Sequence, residues 1–159
     1  MILRRMEKRD VPQVAAIERS AFSQPWSENA FLESLANKYA YFLVAQEPAA
    51  NSAGDEADII MGYVGMYISF EEGEITNVAV AEMFRKSGTG ETLIKRLLAD
   101  AHMLGVTRIV LEVRASNGPA IRLYEKCGFK EIGIRKGFYD FPKEDGNIMV
   151  WESEIGQEV

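Results

Sequence analysis

The sequence offers little to sulfur, metal or histidine chemistry, with one cysteine, Cys127, and one histidine, His102. A lone cysteine rules out an internal disulfide and fits a reducing compartment, so a cytoplasmic location is expected. A catalytic thiol wants a base beside it, and His102 stands in a helical context that faces solvent. Cys127, just ahead of Gly128, reads more simply as a small buried filler. A His/Cys metal site is disfavoured on the same grounds, and no metal is expected. Long apolar runs are also scarce. The longest nearly uninterrupted one, from Ile59 to Phe70, falls well short of the ~20 residues of a membrane helix. It carries Gly62 and Gly65 among β-branched and aromatic residues, as a buried strand does. The first residues, two apolar ones followed by charges from Arg4 to Asp10, do not read as a secretory leader. Positive charge is the last shortage: Lys and Arg number 18 against 24 Asp and Glu, a net charge of −6. That balance lacks the basic face needed to displace counterions from nucleic acid. Neither a nucleic acid nor a membrane is an expected partner, whereas a basic substrate would suit the charge.

What is present is an ordinary globular composition, 47% apolar and 26% charged over 159 residues. A chain of that size forms one domain, residues 1–159, and buries roughly 70% of its unfolded surface. Ile2 to Arg5 can open as a strand. Asp10 looks like an N-cap, with Pro12 in the first turn and Val11, Val14, Ile17 and Ala21 on one helical face. Pro25-Trp26 breaks that helix, and Ser27 can cap a second one carrying Phe31, Leu32 and Leu35. Tyr39 to Gln46 is strand-like. Pro48 to Asp58 reads as an exposed connection, and two strands follow, Ile59 to Phe70 and Glu74 to Val80, around a turn at Glu71-Glu72-Gly73. Ile94, Leu97, Leu98 and Ala101 then keep helical spacing up to Gly105. Thr107 to Arg114 is a strand, Asn117 caps a helix that stops at Gly128, and strands near Phe129–Arg135 and Asn147–Glu152 close the chain. The order β-α-α-β-β-β-α-β-α-β-β predicts an α/β fold, a twisted mixed sheet with helices on both faces.

The most informative stretch is Arg85-Lys86-Ser87-Gly88-Thr89-Gly90-Glu91, between a strand and a helix. Its glycines let the backbone approach a ligand, and the first helical N–H groups are unpaired and favour a phosphate. Arg85 and Lys86 add cations, so a pyrophosphate would fit. Taken alone, the pattern is equally a glycine-rich helix start with nothing bound. It is not a P-loop, because no Gly-Lys-Ser/Thr closes it, and the third glycine of a dinucleotide fingerprint would fall at Leu93.

Together with Asn117 and the run Leu123-Tyr124-Glu125-Lys126-Cys127-Gly128-Phe129, this pattern resembles the GNAT acetyltransferase superfamily, and the element order matches too. The resemblance implies acetyl-coenzyme A as co-substrate. It places the pyrophosphate on the amides from Lys86 through Glu91, the pantetheine arm along Val78, Ala79 and Val80, and a further coenzyme contact at Asn117. Pro25-Trp26-Ser27-Glu28, Asn77-Val78-Ala79-Val80, Leu111 to Asn117 and Phe138-Tyr139 make the chain similar to bacterial GNAT enzymes that acetylate the N-terminal alanine of a ribosomal protein. That match runs from about Arg5 to Trp151. It departs at the long Pro48–Asp58 connection and at Phe138-Tyr139, where a tyrosine pair is common.

Two residues carry the expected chemistry. Glu112 alternates with Val110 and Arg114 on one strand face, against Ile109, Leu111 and Val113 on the other. Spacing alone suggests an ion pair with Arg114, whereas the resemblance makes Glu112 the proton acceptor, through water. An α-amine with a pKa of ~7.7–8 asks little of such a base, and a lysine at ~10.4 asks more. Tyr124, seven residues after Asn117, shares an apolar stripe with Leu123 and Cys127 and can be a core residue. The resemblance makes it the acid that protonates the departing thiolate. Transfer to a small amine or lysine, and a non-catalytic coenzyme-binding module, are the alternatives.

Overall fold

The computed structural model describes residues 1–48 and 58–153. The interior of the Pro48–Asp58 connection and the last six residues lie outside the described residues. The elements follow in the expected order: β1 (Ile2–Arg5), α1 (Val11–Ala21), α2 (Glu28–Leu35), β2 (Ala40–Gln46), β3 (Ile60–Ser69), β4 (Glu72–Val80), α3 (Thr89–Met103), β5 (Arg108–Arg114), α4 (Gly118–Lys126), β6 (Lys130–Tyr139) and β7 (Glu144–Glu152). They build one seven-stranded sheet, ordered β1-β2-β3-β4-β5-β7-β6. Every pairing is antiparallel except β4 with β5, which are joined through α3. No helix among the described residues is long and apolar enough to cross a membrane.

Alternation along the central strands makes two cores. Leu43 and Ala45 of β2, with Val64 and Met66 of β3, face Leu93, Ile94, Leu97 and Ala101 of α3. Their neighbours Phe42, Val44 and Tyr63 face Val11, Val14 and Ile17 of α1 and Phe31 of α2. A two-sided sheet needs apolar residues at both parities, which is why β2 and β3 read as continuous apolar runs. Each fully buried aliphatic side chain contributes roughly 1.5–3 kcal/mol.

Two local expectations change. Asp10 does not cap α1. Its buried carboxylate accepts the Glu7 N–H at 2.8 Å and two hydrogen bonds from Arg4, both at 2.8 Å, closing a preceding 3-10 turn at Lys8–Asp10. The β3–β4 turn is also tighter than predicted, because β3 ends at Ser69 and β4 begins at Glu72. Gly73 therefore lies inside β4. Its lack of a side chain serves packing there, since a Cβ would stand 2.7 Å from Met66 Sδ and 3.3 Å from Ile109 Cγ1.

Candidate active site

The site begins as a failure of strand pairing. β4 and β5 are joined only from Glu72–Glu74 to Arg108–Val110. Beyond that point β5 keeps β7 on its far side as far as Arg114, and β4 keeps β3 as far as Val80. The cause is a bulge in β4: Gly65 pairs with Asn77 and Met66 with Ile75, leaving Thr76 without an opposite residue. An extra residue bends and twists its strand. The two strands diverge, and the β5-facing edge of residues 77–80 is left open. An extended chain can add to such an edge.

The loop into α3 closes the same end of the cleft. Among the described residues, the backbone N–H groups of residues 86–91 donate to no carbonyl, and the first α3 bond runs from Thr92 N–H to Gly88 O at 3.0 Å. Gly88 has φ +84°, and a Cβ there would meet nothing within 4 Å. The loop thus turns through a conformation glycine adopts without strain and leaves open space above it. Gly90 differs: a Cβ would lie 3.2 Å from Leu123 Cδ2, so its small size serves the contact of α3 with α4. Arg85 Nε donates to Val80 O at 3.1 Å, which takes that carbonyl out of the open edge. Lys86 is exposed. Ser87 Oγ bonds to Phe84 O and contacts Thr89 Oγ1 at 2.9 Å, fixing the loop. The Glu91 carboxylate is held by Lys95 at 2.8 Å and Lys126 at 3.1 Å, chiefly the Lys95 contact drawing its pKa below the usual carboxylate range. Only the Glu91 amide is left for a ligand. Asn117 caps α4 by accepting the Ala120 N–H at 3.2 Å through Oδ1.

Across the cleft, Glu112 is partly buried on β5, where the strand alternates as predicted. The ion pair with Arg114 that spacing alone suggests does not form. Arg135 from β6 lies 3.0 Å from Glu112 Oε1 instead. Burial raises the Glu112 pKa above the ordinary carboxylate value, Arg135 opposes the rise, and Glu74 adds to it. Arg114 has other work. It donates to Pro142 O and Asp140 O, both at 2.8 Å, and to Ser23 Oγ at 3.4 Å, and its guanidinium lies over the Tyr139 ring. It thereby pins the β6–β7 tip and touches the segment between α1 and α2. Tyr124 is buried on α4 beside Phe129, and burial raises its phenol pKa.

Tyr139 is the site residue that sequence reasoning left without a role. Burial pushes its pKa up to about 12, with the Glu112 charge adding to the rise, and Tyr139 in turn raises Tyr124. The three are therefore electrostatic neighbours. The sequence signal was Phe138-Tyr139 itself, but β6 extends to Tyr139, further than predicted. A bulge between Arg135 and Tyr139, tied by Gly137 N–H to Asp145 at 2.8 Å, brings the tyrosine inward. His102 is exposed and meets Ser153 Oγ at 3.0 Å, while Cys127 is half-buried with its thiol pKa raised by burial. Neither joins the cleft chemistry. Two surface grooves, one bordered by Leu35, Arg5 and Phe42 and the other by Tyr39, Ile68 and Phe70, share no residue with the cleft.

An open strand edge leading to a donor-rich helix start, with a raised carboxyl facing it, suits acyl transfer from a long phosphorylated thioester. The acetyltransferase (GNAT) family profile matches residues 11–129, and the chain belongs to that family of acetyl-coenzyme A-dependent N-acetyltransferases. Within the family the similarity is more particular. The [ribosomal protein bS18]-alanine N-acetyltransferase of Escherichia coli (strain K12) is 32% identical over 141 residues, 89% of this chain and 87% of that protein. A Bacillus subtilis (strain 168) protein provisionally given the same name is 36% identical over 148 residues, 92% of each. The crystal structure of the E. coli ribosomal-protein-S18-alanine N-acetyltransferase superimposes with a TM-score of 0.81 at 29% identity, covering 95% of this chain and 92% of that one. Arabidopsis thaliana NAA60 in complex with acetyl-CoA shares the fold, with a TM-score of 0.82 at 21% identity over 95% and 97% of the two chains.

Proposed function

We propose that this protein transfers the acetyl group of acetyl-coenzyme A to a protein N-terminal α-amine, the N-terminal alanine of ribosomal protein bS18, in the cytoplasm. The observation that carries the reading is the β4–β5 cleft, open along residues 77–80 and faced by Glu112, in a chain so similar over its length to enzymes of that name. The amides of residues 86–91 hold the pyrophosphate, with Arg85 and Lys86 nearby. The open edge of Val78, Ala79 and Val80 pairs with the pantetheine arm, and Asn117 Nδ2 supplies a further contact. Acetyl-coenzyme A brings an activated thioester carbonyl to the wide part of the cleft.

Glu112 acts as the base. A protonated amine has no lone pair to attack with, and burial has raised this carboxyl above the ordinary carboxylate value, which makes it a stronger base. The proton passes through water to Glu112, the amine nitrogen bonds to the acetyl carbon, and the carbon–sulfur bond breaks. Tyr124 donates its proton to the departing thiolate, whose intrinsic pKa is ~8.5 by analogy with cysteine, and is restored by the second proton that the nitrogen sheds as it becomes an amide. Transfer is direct and needs no acetyl-enzyme. The reading calls for neither a nucleic acid nor a membrane. Incubation with acetyl-coenzyme A and a peptide carrying the bS18 N-terminus should add one acetyl mass at its α-amine. Acetylation of a lysine side chain alone, or of none of a panel of peptides and small amines, overturns it.

A further inference from the structure

The strongest unassigned feature is a buried carboxylate beneath the cleft. Glu18 of α1 is 2% exposed, and among the described residues no cation lies in salt-bridge range of it. Burying a carboxylate without a countercharge is costly unless several donors replace its water. Three do. Glu18 Oε2 accepts the Trp26 backbone N–H at 2.9 Å, and Oε1 accepts the Tyr63 hydroxyl and, at 3.4 Å, Asn77 Nδ2.

These donors belong to two different parts of the site. Trp26 lies in the segment between α1 and α2, which reaches the β6–β7 tip through Ser23 and Arg114. Asn77 is the residue beside the bulged Thr76, whose hydroxyl bonds Asn77 Oδ1 at 2.8 Å. Tyr63 stands on β3 opposite Ala79 and packs edge-on against Phe31 at 5.7 Å. One carboxylate therefore ties the wall of the cleft to the bulge that opens it.

We propose that Glu18 is a positioning residue for acetyl transfer, setting the distance between the segment from Phe22 to Ser27, where the acceptor is held, and the splayed strand β4. The inference rests on the function proposed above and adds to it that the acceptor enters on that side, along the segment that Arg114 joins to the β6–β7 tip. Two acceptor oxygens are essential to the device. A glutamine can accept from Trp26 or from the Tyr63–Asn77 pair, but its amide nitrogen then confronts the other side as a donor.

In Glu18→Gln the acceptor-peptide KM should rise about tenfold, while kcat and acetyl-coenzyme A affinity change less than about threefold. Tyr63→Phe removes one donor and keeps the packing, so it should move the same KM in the same direction by less. Hydrogen exchange supplies a readout independent of the acceptor. The Trp26 and Asn77 amides should exchange faster in Glu18→Gln than in the wild type, with α3 protection unchanged. A folded variant with wild-type KM and wild-type exchange at both amides overturns the proposal. So does a loss shared equally by kcat, both substrates and melting temperature, which marks Glu18 as a general stabiliser. A wild type inert toward the bS18 peptide refutes the acceptor reading instead, and exchange at Trp26 and Asn77 still decides the role of Glu18.

Discussion

In the function proposed above, the half of the molecule that meets the coenzyme and the half that meets the acceptor are built on different principles. Between β4 and α4 the groups left open to a ligand are mostly backbone: the open edge of residues 77–80 and the amides of residues 86–91. On the other side, α1, α2 and the β6–β7 hairpin are held in place by side chains that reach across the fold, Glu18 to Trp26 and Tyr63, Arg114 to Asp140 and Pro142, and Arg135 to Glu112. Backbone recognition depends on where the chain turns and where a helix begins, and it tolerates changes of side chain. Side-chain recognition depends on contacts between distant residues, so it can change acceptor while the coenzyme site stays as it is.

That contrast predicts which variants do the most harm. Glu112 stands where the two halves meet, so Glu112→Gln should have the largest effect, lowering kcat/KM by on the order of 10²–10⁴ with partial recovery at high pH, where the amine is already neutral. Steady-state rates across pH test it. An equal loss at every pH assigns proton transfer elsewhere. Tyr124→Phe keeps the buried ring and removes the hydroxyl, and kcat should fall by on the order of 10²-fold with acetyl-coenzyme A binding little changed. A tyrosine that only fills the core would leave turnover near wild type, since one hydrogen bond contributes about 0.5–1.5 kcal/mol. Melting temperature measured beside kcat separates the two roles.

A change confined to the coenzyme half should show in one parameter. Gly88→Asp places a carboxylate in open space beside the free amides, at a backbone angle aspartate tolerates better than most residues. The acetyl-coenzyme A KM should rise about tenfold or more through charge repulsion at the helix start, with the acceptor KM unmoved. Unchanged coenzyme affinity in the folded variant removes the loop from the site, and an equal rise in both constants breaks the division between halves.

The same division explains what could be read from the sequence. The α3 periodicity and the Asn117 cap are local patterns, each visible within a few residues, and both are found as read. The partners of Glu18 lie 8, 45 and 59 residues away, and nothing in the Ile17-Glu18-Arg19 run distinguishes a buried carboxylate from a solvated one. Strand spacing alone suggests Arg114 as the partner of Glu112. Its actual partner comes from β6, whose bulge is set by Gly137 and Asp145 across the hairpin. Asp10 had the surroundings of a helix cap, but Arg4 reaches it first.

The smallest effect is expected at Arg135, and it tests whether the acceptor half tunes the base. Arg135 is more than half exposed, so its ion pair with Glu112 contributes little to stability. Its consequence lies in titration. Burial already holds the Glu112 carboxyl above its ordinary value, and Arg135 is the group that pulls it back down. Arg135→Gln should therefore raise that pKa further. Because the base works as a carboxylate, the acid limb of the kcat/KM profile should move to higher pH, with a loss of only a few-fold near neutrality. The stability sign follows from the same shift. A carboxyl whose folded pKa exceeds its unfolded one favours folding at low pH, and that contribution fades as pH rises through the folded value. Arg135→Gln widens this window upward, so its melting temperature should drop slightly at neutral pH and hardly at all in acid. The drop should vanish when Glu112→Gln is added. An acid limb that stays in place would mean that the titrating base is some group other than the partner of Arg135.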